Sequence, residues 1–281
     1  MKKVILAVAI ALSACNVNAQ TQAPDFADEA TAKFEQQMTT VKAKESELRT
    51  LITGKEMTPE LRVKADSVYA QYMKLYSDAL GTLKSELESH REDAATAQLL
   101  VKYQRQLGLD YLAEYMKSYA HAEAEELASL RSTLAIEELK KPGSPLIDFE
   151  LPDEAGTMHS LSEYVGHGRI VLVDFWASWC GPCRAEMPNV KAAYERFHDK
   201  GFDILGLSFD NTREAWLKGI ADLGMTWPQL SDVQGWQSLA AKKYGVHAIP
   251  FTILFDKEGR IIATNLRGPA LGNKLEELLG K

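Results

Sequence analysis

Ile170-Val171-Leu172-Val173-Asp174-Phe175-Trp176-Ala177-Ser178-Trp179-Cys180-Gly181-Pro182-Cys183 runs an apolar segment straight into a pair of cysteines. The branched run Ile170 to Trp176 has no polar alternation, the signature of a strand buried on both faces. Pro182 to Phe197 then reads as a helix, so the cysteines fall where a buried strand turns into a helix. Proline near a helix start costs no hydrogen bond, and Gly181 with Pro182 tightens the turn.

Outward from this stretch the pattern repeats. Phe202 to Phe209 reads as a strand and Thr212 to Leu223 as a helix capped by Thr212 or Asn211. A short helix runs from Trp236 to Tyr244, ended by Gly245. Phe251 to Phe255, the turn Asp256-Lys257-Glu258-Gly259 and Arg260 to Thr264 form a hairpin, and Leu271 to Leu279 a terminal amphipathic helix. Strands interleaved with helices mean an α/β fold with a mixed central sheet.

Composition changes near residue 142. Between Asp25 and Lys141 stand one proline and three glycines; from Pro142 to Lys281 there are eight prolines and fifteen glycines. Residues 25–141 therefore read as an all-helical domain and 142–281 as the α/β domain, joined at Lys140-Lys141-Pro142-Gly143-Ser144-Pro145. Phe34, Val41 and Leu48 recur every seven residues, and Leu61, Ala65, Val68, Tyr72, Leu75, Ala79, Leu83 and Leu87 make a second helical stripe. Gly54 ends the first helix and Thr58-Pro59-Glu60 opens the second, which predicts an antiparallel hairpin. Helices are expected over Ala94 to Leu107 and Asp110 to Leu139, and His90 and His121 are expected to be solvated.

Residues 1–19 read as an export signal: Lys2 and Lys3 precede the apolar run Val4 to Leu12, too short to span a bilayer. Leu12-Ser13-Ala14-Cys15 fits a bacterial lipobox at all four positions, which makes Cys15 the lipidated first residue of the mature protein. Val17-Asn18-Ala19 before Gln20 is the competing cleavage site and would discard Cys15. Either way the expectation is an exported protein of the bacterial periplasm or cell envelope, touching a membrane only through a lipid anchor. The 281 residues carry 32 basic and 39 acidic side chains, a net charge of −7, so the dense cationic footprint of a nucleic-acid partner is missing.

Cys180 and Cys183 are then the thiols left in the folded part. A loop that short constrains little chain entropy, so the pair makes a poor structural staple. A zinc site needs a second ligand pair, and haem attachment needs histidine where Arg184 stands. Redox exchange fits the position. At a helix N-terminus the backbone N–H groups and helix dipole favour a Cys180 thiolate able to attack another protein's disulfide. Cys183, one turn further in, resolves the mixed disulfide. This chemistry needs neither cofactor nor metal.

Val173 to Cys183 closely resembles the active-site segment of thioredoxin, and Ala248-Ile249-Pro250-Phe251-Thr252 resembles its cis-proline loop. Cys183-Arg184-Ala185-Glu186-Met187-Pro188, with Asp148-Phe149-Glu150-Leu151 through Leu161, is similar to the exported TlpA/ResA-type thiol-disulfide reductases. The resemblance covers residues 142–281 and implies a thioredoxin fold with a redox-active Cys180–Cys183 disulfide. It implies that Pro250 is cis beside the cysteines and that Ile249 offers its backbone to an extended substrate. It implies that Asp174 handles the inner cysteine's proton, which suits a carboxylate in an apolar strand with a raised pKa. Glu186 matches an acid near the cysteines, and Trp179 a contact surface flanking them. One departure stands out: thioredoxin pairs its buried acid with a lysine on the next strand, and Leu205-Gly206-Leu207-Ser208 holds none. Gly224 to Gly235 reads as an extra loop that shapes the substrate groove.

These residues predict a protein-disulfide reductase of exported proteins, re-reduced by a membrane thiol donor of the DsbD/CcdA type. The same chemistry run as an oxidase or isomerase differs only in reduction potential. A peroxidase is disfavoured because Ala177 stands where peroxiredoxins carry threonine. A binding protein in which the helical part supplies the function and the thiols are secondary is the remaining alternative. In the redox reading that part is expected to position the redox domain above a membrane or to pair two copies.

Overall fold

The computed structural model describes residues 25–280, so Cys15 and residues 1–19, expected to be an export signal, lie outside it. The chain divides into two compact units between Leu127 and Ala128.

In the first unit α1 (Phe26–Ile52) and α2 (Pro59–Ser89) form the expected antiparallel hairpin. Lys33 meets Glu86 at 2.6 Å and Gln37 meets Thr82 at 3.2 Å, early residues of one helix against late residues of the other. Thr58 caps α2 by accepting the Leu61 N–H at 3.2 Å, with Pro59 as the first helical residue. Phe34, Val41, Val68, Leu83 and Leu87 are buried, as their spacing requires. Three short helices follow, α3 (Thr96–Lys102), α4 (Gln104–Leu107) and α5 (Leu109–Met116). The long helix expected over Asp110 to Leu139 is therefore broken. The Tyr119 phenol donates to the carbonyls of Asp93 and Ala94 at 3.0 and 3.2 Å, and Arg91 donates to the Tyr115 carbonyl at 3.2 Å. These tertiary bonds turn the chain where helix propensity alone continued it. The histidines expected in solvent are half-buried as well. His90 stacks on Phe26 at 3.9 Å, and His121 Nε2 lies 3.1 Å from the Glu92 carbonyl.

The second unit begins with α6 (Ala128–Leu139), which composition alone assigned to the helical part. It packs within this unit: Ile136 fills the space beside Gly245, a left-handed residue (φ 57°) whose Cβ would lie 2.8 Å from the Ile136 Cγ2. A two-stranded hairpin, β1 (Glu150–Pro152) with β2 (Met158–Ser160), precedes the main sheet. That sheet contains β3 (Ile170–Trp176), β4 (Phe202–Ser208) and the two-residue β5 (Gln229–Leu230), all parallel, with β6 (Phe251–Phe255) and β7 (Ile261–Thr264) antiparallel on the other side. The order is β5-β4-β3-β6-β7. Helices α7 (Gly181–Phe197), α8 (Arg213–Leu223), α9 (Leu239–Tyr244) and α10 (Pro269–Leu279) complete a thioredoxin-like fold. β3 is central and every residue of it is buried, which is why it reads as an unbroken apolar run. Part of the segment taken as an extra loop is β5, too short to show a periodicity. Among the described residues no helix is long and apolar enough to cross a membrane.

Candidate active site

The central strand delivers its C-terminal end to the start of α7, and the two cysteines stand at that junction, joined as a disulfide. Cys180 is the N-cap residue: its extended backbone (φ −79°, ψ 97°) leads into the helix, and its Sγ accepts the Cys183 N–H at 3.1 Å. A sulfur thus takes the place usually held by a serine or aspartate oxygen, at the positive end of the helix dipole. Cys180 is 4% exposed and Cys183 2%, so the bonded pair shows water only a sliver of its outer member. Gly181 and Pro182 are exposed, and nothing lies within 4 Å of where a Gly181 Cβ would stand. Backbone beside the sulfurs is therefore open to an approaching chain.

Asp174 lies on β3 opposite Gly206 of β4 and Thr252 of β6, with 4% of its surface exposed. Burial drives its carboxyl up to about 7; the Glu186 carboxylate adds to the rise and the Arg267 guanidinium opposes it. The rise is in the direction expected of a carboxylate set in an apolar strand. The lysine absent from β4 has a physical reason. A Cβ on Gly206 would stand 2.0 Å from the Gln229 Oε1, and that buried amide oxygen accepts the Trp176 indole N–H at 2.9 Å. Trp176 is accordingly core, while Trp179 is half exposed.

The Ile249–Pro250 bond is cis, with Ile249 packed against the hydrophobic core. Glu186 is built into the framework around this loop. Its Oε1 accepts the Gly268 N–H at 2.5 Å and its Oε2 accepts from Asn189 at 3.2 Å. Arg267, next to Gly268, donates to the Pro250 carbonyl. A carboxylate on the active-site helix is thereby linked to the proline loop through two neighbouring residues.

Asp210 escaped the sequence analysis. Fully buried at the end of β4, it accepts from the Ser178 N–H and, at 2.6 Å, from the Ser178 hydroxyl; the Ser208 hydroxyl donates to it at 2.7 Å. It fixes the turn two residues ahead of Cys180. A charged residue closing the apolar run Phe202 to Phe209 was the available signal. Arg267 and Trp236 gave none, because each acts through a fold contact rather than a motif. Among the described residues no group of three or more His, Cys, Asp or Glu is arranged to hold a metal ion.

Residues 142–264 match the AhpC/TSA family. The chain is 32% identical over 145 residues to the thiol-disulfide oxidoreductase ResA of Bacillus thuringiensis subsp. konkukian, covering 52% of this chain and 80% of that protein. It is 37% identical over 119 residues to the ResA of Geobacillus thermodenitrificans, covering 42% and 66%. A solved thiol-disulfide oxidoreductase of Bacteroides fragilis superposes with a TM-score of 0.45 at 36% identity, covering 50% of this chain and all of that one. With so much of the Bacillus protein matched, and a bonded cysteine pair at the head of the helix after the central strand, the chain belongs to the ResA family of thiol-disulfide oxidoreductases.

Proposed function

We propose that this oxidoreductase works as a reductase, cleaving disulfides of exported proteins outside the cytoplasmic membrane. The observation that carries the reading is the Cys180 Sγ held at the N-cap of α7 by the Cys183 N–H. In the reduced protein the same N–H and the helix dipole favour a thiolate at Cys180. That thiolate attacks one sulfur of the client disulfide, forms a mixed disulfide and expels the other sulfur as a thiolate. Cys183 then gives up its proton, for which the Asp174 carboxylate is the candidate acceptor, and attacks the Cys180 Sγ. The client's second thiolate leaves, the Cys180–Cys183 bond re-forms, and two electrons have passed to the client.

Each turnover leaves the protein oxidised, so a dithiol donor must restore it. A membrane protein of the DsbD/CcdA type is the proposed donor. The N-terminal segment supports the location: its basic start, apolar run and lipobox fit export with the mature chain anchored through a lipid on Cys15. Cleavage after Ala19 would leave it soluble in the same compartment.

Two measurements test the reading. Equilibration with glutathione buffers should give a reducing potential close to that of thioredoxin, about −270 mV; a value near −120 mV would make the protein an oxidase instead. Cys183→Ala should accumulate mixed disulfides through Cys180, and accumulation in Cys180→Ala instead would reverse the two roles.

A further inference from the structure

The indole of Trp179, the residue before Cys180, lies against that of Trp236, with ring centroids 6.1 Å apart and planes inclined by 58°. Trp236 comes from the segment between β5 and α9. The two residues are 50% and 43% exposed, and Leu239, three residues after Trp236 in the chain, is 37% exposed. Single exposed apolar residues are ordinary, but two touching tryptophans next to a reactive sulfur form a patch with a use.

The patch is held in place. Trp236 packs edge-on against buried Phe209 at 5.4 Å. Gly235 donates its N–H to the Asp210 carbonyl at 3.3 Å, and it is left-handed (φ 55°) with the Asn211 Oδ1 2.3 Å from where a Cβ would stand. The Asp232 carboxylate accepts from the Gln234 and Leu239 N–H groups at 3.3 and 2.8 Å, closing the turn on both sides. Val233 takes a left-handed φ of 47°, a strained conformation for a β-branched residue and one that collects at functional sites. Asp210 also holds Ser178, so one buried residue ties down both the turn before Cys180 and the turn carrying Trp236.

We propose that Trp179 and Trp236 form an aromatic ledge that selects client disulfides flanked by a large apolar side chain, with Trp236 as the specificity-determining residue. The occupant follows from the chemistry. When a client sulfur bonds to Cys180, the two cysteine Cα atoms lie about 5.5–6 Å apart. A large side chain next to the client cysteine therefore has the reach to meet Trp179, the neighbour of Cys180. Indole faces reward an apolar or aromatic neighbour there, and a short polar side chain leaves them wet. The inference rests on Cys180 being the attacking sulfur.

The test uses the reduced full chain and two peptides, each joined to glutathione through its single cysteine. One peptide carries phenylalanine before the cysteine and the other serine; the readout is the ratio of their second-order reduction rates. The parent protein should favour the phenylalanine peptide by about tenfold. In Trp236→Ala the ratio should fall to within about twofold of unity. Trp236→Gln, whose methylenes still cover Phe209, serves the same comparison if alanine leaves the turn unfolded. An unchanged ratio in the folded variant, or no preference in the parent, overturns the proposal. If the parent reduces neither peptide, or reacts through Cys183, the Cys180 reading fails instead, and the two failures are distinguishable.

Discussion

The Cys180 Sγ lies 3.1 Å from the backbone nitrogen of Cys183 and accepts its N–H, so the bond that caps α7 also links the two cysteines through the main chain. A thiolate accepts such a hydrogen bond more strongly than a thiol. On reduction, therefore, Cys180 should be alkylated at least tenfold faster than Cys183 at pH 6, which mass spectrometry of iodoacetamide-treated protein reads directly. Equal rates at the two sites would remove the physical basis for assigning attack to Cys180. Cys180→Ser should abolish disulfide reduction while leaving the fold intact, because serine is a better N-cap than the sulfur it replaces.

Asp174 makes stability depend on pH in a direction that can be stated beforehand. Its carboxyl ionises near 7 in the folded protein, against 3.8 without the fold. Between those values the native state holds a proton that the unfolded chain has lost. Stability therefore falls as pH rises from about 4 to about 7 and stays lowered above. Asp174→Asn removes that penalty. Urea denaturation should find the variant more stable than the parent at pH 8, by up to about 4 kcal/mol, with the advantage gone below pH 4. The same variant should resolve mixed disulfides about a hundredfold more slowly if Asp174 takes the Cys183 proton. A stability gain without slower resolution would leave Asp174 a buried acid with no part in exchange.

Arg267 supplies the cation that β4 lacks. It opposes the rise in the Asp174 pKa while its guanidinium donates to the Pro250 carbonyl. Arg267→Met should move the Asp174 ionisation, and with it the pH midpoint of the exchange rate, to higher pH. Arg267→Lys should return part of that shift, because it restores the charge without the planar fork. A midpoint unmoved in both variants would confine Arg267 to holding the proline loop.

Residues 142–281 were largely legible because their signals are local. A buried parallel strand must be apolar throughout, and a redox pair must sit at a helix N-terminus, so Ile170 to Cys183 states both in one line of sequence. Pro250 was legible only through resemblance, since nothing in an isolated X–Pro pair distinguishes a cis bond from an ordinary turn. What escaped depends on residues far apart in the chain. Tyr119 ends a helix by bonding to carbonyls about 25 residues earlier. Asp210 anchors Ser178 across 32 residues, and Arg267 reaches Pro250 across 17. β5 holds two residues, below the length at which alternation can be seen. Glu186 was singled out as an acid near the cysteines; its bond to the Gly268 N–H, across 82 residues, had no trace in the spacing.

Gly206 offers the most direct check on why this chain departs from thioredoxin at the buried acid. The Gln229 Oε1 stands 2.0 Å from the site of a Gly206 Cβ, and that amide cannot swing away freely. It is buried, accepts the Trp176 indole N–H at 2.9 Å and donates to the Met225 sulfur at 3.2 Å. Gly206→Ala should push the amide aside and orphan the buried indole N–H, at a cost of about 1–3 kcal/mol in urea denaturation. Gly206→Lys, which restores thioredoxin's cation on this strand, should cost more, because a longer side chain must enter the same occupied space. Adding Gln229→Ala should relieve the clash but leave Trp176 unpaired, so the double variant should be no more stable than Gln229→Ala alone. If Gly206→Ala proved neutral, the amide would have room to move and packing would no longer explain the missing lysine.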